Sequence, residues 1–244
     1  MAIFRASEPD QVFTPRSSVV NEQMYVNREL LEEQFSKHIF GGKHIIVHGE
    51  SGNGKTWLYK KVFDNNKVPY TVINLATASR LGGLQRAFED KLQKKSPDET
   101  LAQHVVTVSG GANVVLHAGI ADERIYEIAK REPLEALMAL LHREANSKKS
   151  FIVLDNLEQI LTNHDRVKEL SDVLILLDDD DYAKYNVRFC IVGVPSDIRE
   201  YLARQSSIET ITNRTMELSE VARLTDEEAN IVNHRFRSIE NRLR

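Results

Sequence analysis

Short apolar runs along the chain alternate with segments of helical period. From Asn27, "NRELLEEQFSKHIF" places Leu30, Leu31, Phe35 and Ile39 on one helical face, with Asn27 as N-cap and Gly41-Gly42 as the stop. "KHIIVHG" follows as a short buried strand, and "GKTWLYKKVFDNN" as a helix. "YTVINL" is the next strand and "SRLGGLQRAFEDKLQKK" the next helix. "VVTVSGGANVVLHAG" carries β-branched runs on both sides of Ser109-Gly110-Gly111, a hairpin signal that interrupts the alternation.

The alternation then resumes. "PLEALMALLHREA" reads as a helix with Pro133 in its first turn. "SFIVLDN" is a strand so apolar that both faces must be covered, as in a parallel sheet. A helix through "RVKELSDVLILL" leads to "VRFCIVGV", another wholly apolar strand. "SDIREYLAR" gives a short helix with Ser196 as N-cap, and "RTMELSEV" a last strand. "TDEEANIVNHRFRSIENRLR" closes the chain as a helix that starts with the capping box Thr225-x-x-Glu228.

This order predicts an α/β fold: a three-layer domain with a mostly parallel central sheet and a β-hairpin insertion at about 104–119. Residues 1–24, with Pro9, Pro15 and no periodicity, read as an extended arm. The core spans 25–223, and 224–244 begins a further helical unit.

Composition narrows the classes. Lys plus Arg is 32 against 36 Asp plus Glu, so the net charge of -4 gives no global pull toward nucleic acid. The single cysteine, Cys190, lies in an apolar strand and reads as a core thiol. No apolar stretch is long enough to span a bilayer, and the start has no apolar signal core, so a soluble, cytoplasmic protein is expected. Asp178 to Asp181 reads as a solvated acidic turn, since calcium loops space their ligands around a glycine.

The chemistry sits between the first strand and the helix after it. Gly49-Glu50-Ser51-Gly52-Asn53-Gly54-Lys55-Thr56 fits G-x-x-x-x-G-K-[ST] at every fixed position. Glycines at 49, 52 and 54 let the backbone take positive φ and approach a ligand without a Cβ in the way. Successive N–H groups then form an anion nest ahead of a helix N-terminus, with Trp57 in its first turn. Lys55 can reach β- and γ-phosphates, and the Thr56 hydroxyl can ligate Mg²⁺.

A triphosphate site also needs an acid at the end of a neighbouring strand. "FIVLDNLEQI" supplies Asp155 as the candidate Mg²⁺ residue, with N-capping as a compatible role. Glu158, about one turn further on, is either the group that polarises an attacking water or an exposed helix residue.

From Tyr25 to the end, the chain resembles AAA and STAND-type ATPases of the origin-recognition-like group. The opening "MYVNRELLEEQFSKHIFGGKHIIVHGESGNGKTWL" carries the likeness, together with "FIVLDNLEQI", "FCIVGVPSDIREYL" and "ELSEVARLTDEEA". The resemblance implies a P-loop NTPase fold with ATP and Mg²⁺ as cofactors. It also implies that the box Tyr25-Val26-Asn27-Arg28 contacts adenine, which adds Val26 and Arg28 to the site. In that family the strand equivalent to "RFCIVGV" lies between the phosphate-loop strand and the acidic strand and ends in a polar sensor. An arginine from a neighbouring subunit completes the site, and Arg214 or Arg204 occupies the segment that supplies it.

The chain departs from the pattern in several places. Asn27 replaces a glycine, Asn156 replaces the second acid, and only Ser196 stands near the sensor position. The lid that would begin near Leu224 has room for one helix, so a truncated or reduced lid is expected, and Arg235, Arg237 and Arg242 carry no assigned role. The expected function is an ATP-dependent module whose nucleotide state switches assembly or partner interaction, as in bacterial defence or signalling. Alternatives are a non-hydrolytic nucleotide scaffold and a DNA-associated loader, the latter with only the basic "NHRFRSIENRLR" end as local support. A homo-oligomer or a partner protein is implied.

Overall fold

The computed structural model describes residues 20–22, 24–96, 131–195, 197–204 and 208–243. Most of the expected N-terminal arm, the hairpin at 104–119 and Ser196 lie outside the described residues.

Among the described residues, five strands form one sheet: β1 (His44–His48), β2 (Tyr70–Asn74), β3 (Ser150–Asp155), β4 (Val187–Gly193) and β5 (Thr215–Glu217). The order is β2-β3-β4-β1-β5 and every pairing is parallel. β4 therefore lies between the phosphate-loop strand and the acidic strand, as the resemblance implies. In register, Val47 faces Val192 across β1–β4, and Leu154 faces Ile191 across β3–β4.

Side chains alternate between the two faces of each strand, and in β1, β3 and β4 both faces are buried. Ile46, Ile152, Leu154, Phe189 and Ile191 enter one core. Ile45, Val47, Phe151, Val153, Cys190 and Val192 enter the other. The second core is covered by α1 (Glu29–Phe40), through Phe35 and Ile39, and by α2 (Lys55–Asn65), through Leu58, Tyr59, Val62 and Phe63. The first is covered by α3 (Leu75–Leu81), α4 (Leu84–Lys95), α5 (Pro133–Glu144), α6 (His164–Leu176), α8 (Ile198–Ala203) and α9 (Ile208–Arg214). This is the three-layer P-loop NTPase architecture expected, with the sheet all-parallel among the described residues.

Four local features differ from the sequence pattern. The helix expected to run through Gly82-Gly83 is two helices. Gly82, at φ 94, ends α3 in the left-handed conformation, and the Glu169 carboxylate of α6 accepts the Leu84 and Gln85 N–H groups at the start of α4. The N-cap of α1 is Arg28, one residue later than Asn27. Helix α9 was not expected, because Ile211 is its only buried residue and leaves no periodic signal. β5 is only three residues long, although the chain continues alongside β1 with Leu218 N–H donating to Ile46 O at 2.8 Å.

Other expectations hold. Asp178 to Asp181 runs into the short exposed helix α7 (Asp180–Ala183). Cys190 is buried, and burial pushes its thiol pKa up. At the start of α10 (Asp226–Leu243), Thr225 N–H donates to Glu228 Oε2 at 2.7 Å and Glu228 N–H donates to Thr225 Oγ1 at 3.2 Å. That is the reciprocal pair of the capping box. Among the described residues, no helix is long and apolar enough to cross a membrane.

Candidate functional site

The loop Gly49–Gly54 leaves β1 at the C-terminal edge of the sheet and enters α2 at Lys55. All three loop glycines have positive φ, but for different reasons. A Cβ on Gly52 or Gly54 would meet nothing within 4 Å, so these two keep their backbone open to the ligand side. A Cβ on Gly49 would sit 2.4 Å from Val221 O. The first glycine is thus required by the segment after β5, which crosses over it with Val221 N–H donating to His48 O at 2.9 Å. Asn53, in a position the motif leaves free, is buried and donates from Nδ2 to the same Val221 carbonyl at 2.9 Å.

Lys55 Nζ donates back to Gly49 O at 2.7 Å and Glu50 O at 2.8 Å, which folds the side chain over the loop. Burial lowers its pKa, and the carboxylates of Glu158 and Asp155 oppose that shift. The Glu50 side chain is exposed and faces Arg223 at 3.6 Å, and Ser51 is also exposed.

Asp155 ends β3, two strands from β1, and its carboxylate is held on both oxygens. Oδ1 accepts the Asn156 N–H at 2.9 Å, while Oδ2 accepts the Tyr59 hydroxyl at 3.2 Å and the Thr56 hydroxyl at 3.5 Å. Burial raises the Asp155 pKa, and the Asn156 and Tyr59 hydrogen bonds pull it back. Asn156 takes the left-handed conformation (φ 64) and turns the chain into a 3₁₀ turn, Leu157–Gln159. That turn puts Glu158 on the cavity wall, with Oε2 buried and without a hydrogen-bond partner.

These groups line one cavity of about 450 Å³, within the range of small-molecule sites. Of the expected site residues, Ser51 to Trp57, Val26, Arg28, Asp155 and Glu158 line it, and Gly49 and Glu50 do not. The apolar part of the lining comes from two stretches: Val192 and Val194 at the end of β4, beside the phosphate-loop strand, and Met24, Leu224 and Val232 from the chain before α1 and from the approach to α10 and α10 itself. This lining was not legible as a site in the sequence, because its residues are scattered along the chain and carry no motif. Arg28 Nη1 donates to Ala222 O at 2.8 Å, and Arg235 Nη1 donates to Tyr25 O at 2.8 Å. Both contacts tie the Tyr25–Arg28 box to the chain leading into and along α10.

Arg214 lies elsewhere. It ends α9 at the opposite edge of the sheet, next to Thr215, which pairs with the first residue of β1. Its Nε is 2.7 Å from Asp178 Oδ2. It cannot act on the cavity of its own chain; only a neighbouring copy could receive it.

No group of three or more His, Cys, Asp or Glu among the described residues could hold a metal ion alone. Thr56 and Asp155 are hard oxygen donors, and Mg²⁺ commonly takes one or two such ligands plus phosphate oxygens. The donor set fits a cation that arrives with a nucleotide.

A family model described as an AAA domain matches residues 37–202. No curated protein matches the chain by sequence. Among solved structures, Cdc6p from Pyrobaculum aerophilum is 18% identical with a TM-score of 0.53, covering 94% of this chain and 53% of its own. The ADP form of ORC2 from Aeropyrum pernix is 15% identical with a TM-score of 0.53, covering 92% and 56%. A Walker-type ATPase of Pyrococcus abyssi is 13% identical with a TM-score of 0.56, covering 91% and 61%. The chain spans little more than half the length of these proteins, and at such identities the likeness is one of fold.

Proposed function

The chain belongs to the AAA domain family, and from that premise we propose that it binds ATP with Mg²⁺ and hydrolyses it slowly. The observation that carries this reading is the convergence of Lys55, Thr56 and Asp155 on one cavity, with the Thr56 and Asp155 oxygens 3.5 Å apart. The backbone amides of the glycine loop and the start of α2 would hold the phosphates. Lys55 would exchange its two loop carbonyls for phosphate oxygens. The adenine would rest against Met24, Leu224 and Val232, beside Val26 and Arg28. Thr56 and Asp155 would hold the cation, whose chemistry is charge neutralisation on the phosphate oxygens. The Glu158 carboxylate, whose Oε2 has no hydrogen-bond partner, would take the proton of an attacking water. Nucleotide titration of wild type and Lys55→Ala tests the reading: wild type is expected to bind in the micromolar range and the variant far more weakly. Equal binding by both rejects it.

A second reading, a nucleotide switch with little or no hydrolysis, is favoured by Asn156 standing where the family places a second acid. Turnover that collapses in Glu158→Gln while binding persists would rule this version out. In either version nucleotide state would alter assembly. Arg28 and Arg235 link the proposed base pocket to the α10 region, so filling that pocket would move or fix the helix. The switch would serve defence, signalling or loading on DNA; the Cdc6p and ORC2 likenesses are of fold alone. With a net charge of -4 the DNA role is the weakest of these.

A further inference from the structure

We propose that Tyr59 is a positioning residue that fixes the Asp155 carboxylate for a divalent cation bound together with a nucleotide. This rests on the ATP-site reading above. Thr56 and Tyr59 are three residues apart on α2 and so share a helical face. Both aim hydroxyls at Asp155 Oδ2, and the phenol is the nearer, at 3.2 Å against 3.5 Å.

The order of these distances matters. Thr56 is itself the candidate cation ligand, so its oxygen is drawn toward the cation when one is bound. Tyr59 cannot be drawn away. Its side chain is 1% exposed, and its ring packs edge-on against Tyr70 at 6.2 Å and tilted against Phe63 at 6.4 Å. Those aromatic neighbours fix the ring, and the ring fixes the hydroxyl. A carboxylate has about four lone-pair positions. The Asn156 N–H, the Tyr59 hydroxyl and the Thr56 hydroxyl use three of them. What remains is directed by the donors, chiefly by the two that stay in place. Without the phenol, Oδ2 would be free to rotate away or to recruit a water.

The experiment measures the affinity of a non-hydrolysable ATP analogue with excess Mg²⁺ and again in EDTA, for wild type, Tyr59→Phe and Tyr70→Phe. Binding of Mn²⁺ to the analogue complex is followed by electron paramagnetic resonance. Tyr59→Phe should bind the analogue in EDTA within twofold of wild type. It should lose about tenfold of the tightening that Mg²⁺ gives, and bind Mn²⁺ correspondingly more weakly. Tyr70→Phe, which removes a hydroxyl from the same aromatic cluster, should leave both readouts unchanged. Should Tyr59→Phe not fold, Tyr59→Met is expected to show the same selective loss, because Met adapts to irregular core space. Wild-type Mg²⁺ tightening retained in the Tyr59 variants overturns the inference and leaves the ATP site intact. A wild type that binds no analogue at all overturns the ATP-site reading instead. An equal loss in EDTA and in Mg²⁺ would mean that Tyr59 only supports the fold.

Discussion

Asn53 Nδ2 donates to Val221 O at 2.9 Å, and this buried contact ties the glycine loop to the chain segment after β5. The same segment carries Ala222, Arg223 and Leu224, which meet Arg28, Glu50 and the cavity. A loop residue that the motif leaves unspecified is therefore a link between the candidate phosphate site and the approach to α10.

Replacing Asn53 by Leu should leave the Val221 carbonyl buried without this donor. An unsatisfied buried acceptor costs about 1–3 kcal/mol. Urea unfolding should show that loss, and affinity for ADP should fall as the loop loses its anchor. A variant as stable as wild type would mean that water replaces the amide.

Gly49 and Gly52 look alike in the motif and should behave differently. Gly49→Ala would push a Cβ to 2.4 Å from Val221 O, so the overlying segment must shift. Overpacking and backbone strain each cost about 1–3 kcal/mol, and the variant should melt well below wild type without nucleotide. Gly52→Ala meets nothing within 4 Å and keeps only the strain of φ 87. It should stay near wild-type stability, about 1 kcal/mol lower, and lose affinity for nucleotide. Thermal unfolding with and without ADP separates the two.

This contrast also shows what the sequence held. The phosphate loop, the acidic strand end and the two-sided burial of β1, β3 and β4 were legible because each leaves a local pattern. Spacing placed Lys55, Thr56 and Asp155, and the structure brings them to one cavity. The role of Gly49 was not legible, because its partner Val221 is distant in the chain and carries no signal of its own. Tyr59 was missed for a related reason: in the pattern it is one more apolar position of an amphipathic helix, and only the fold shows where its hydroxyl ends. Helix α9 was lost because a single buried residue sets no period.

His44 should make the protein acid-sensitive. The side chain is 2% exposed, and its Nδ1 accepts the Phe189 N–H at 3.0 Å. Burial, helped by the Arg188 and Arg214 charges, pushes its pKa down from 6.5 to about 3. Below pH 6.5 the unfolded chain takes up a proton that the folded chain refuses, so stability falls as pH falls. At pH 5 that loss is about 2 kcal/mol relative to pH 8. Unfolding free energies from urea titrations at the two pH values should differ by that amount more in wild type than in His44→Asn, even if the variant is less stable throughout. An equal pH slope in both proteins assigns the acid sensitivity to other groups.

Arg214 tests whether the proposed switch is built between copies. At the sheet edge opposite the phosphate loop, it cannot contribute to catalysis within one chain. Its contact with Asp178 is part-exposed, and such pairs are worth about 0–1 kcal/mol. Losing that pair would barely destabilise the fold. Arg214→Ala should therefore melt within a few degrees of wild type and bind nucleotide with unchanged affinity. If Arg214 completes a neighbour's site, turnover per chain should rise with concentration in wild type and stay flat in the variant. Mixing Arg214→Ala with an excess of inactive Lys55→Ala should then restore activity, because the second chain offers an intact arginine to the first chain's intact loop. Failure of that rescue, with wild-type turnover independent of concentration, would mean that each chain acts alone and that Arg214 serves only local contacts such as those with Asp178 and Thr210 O.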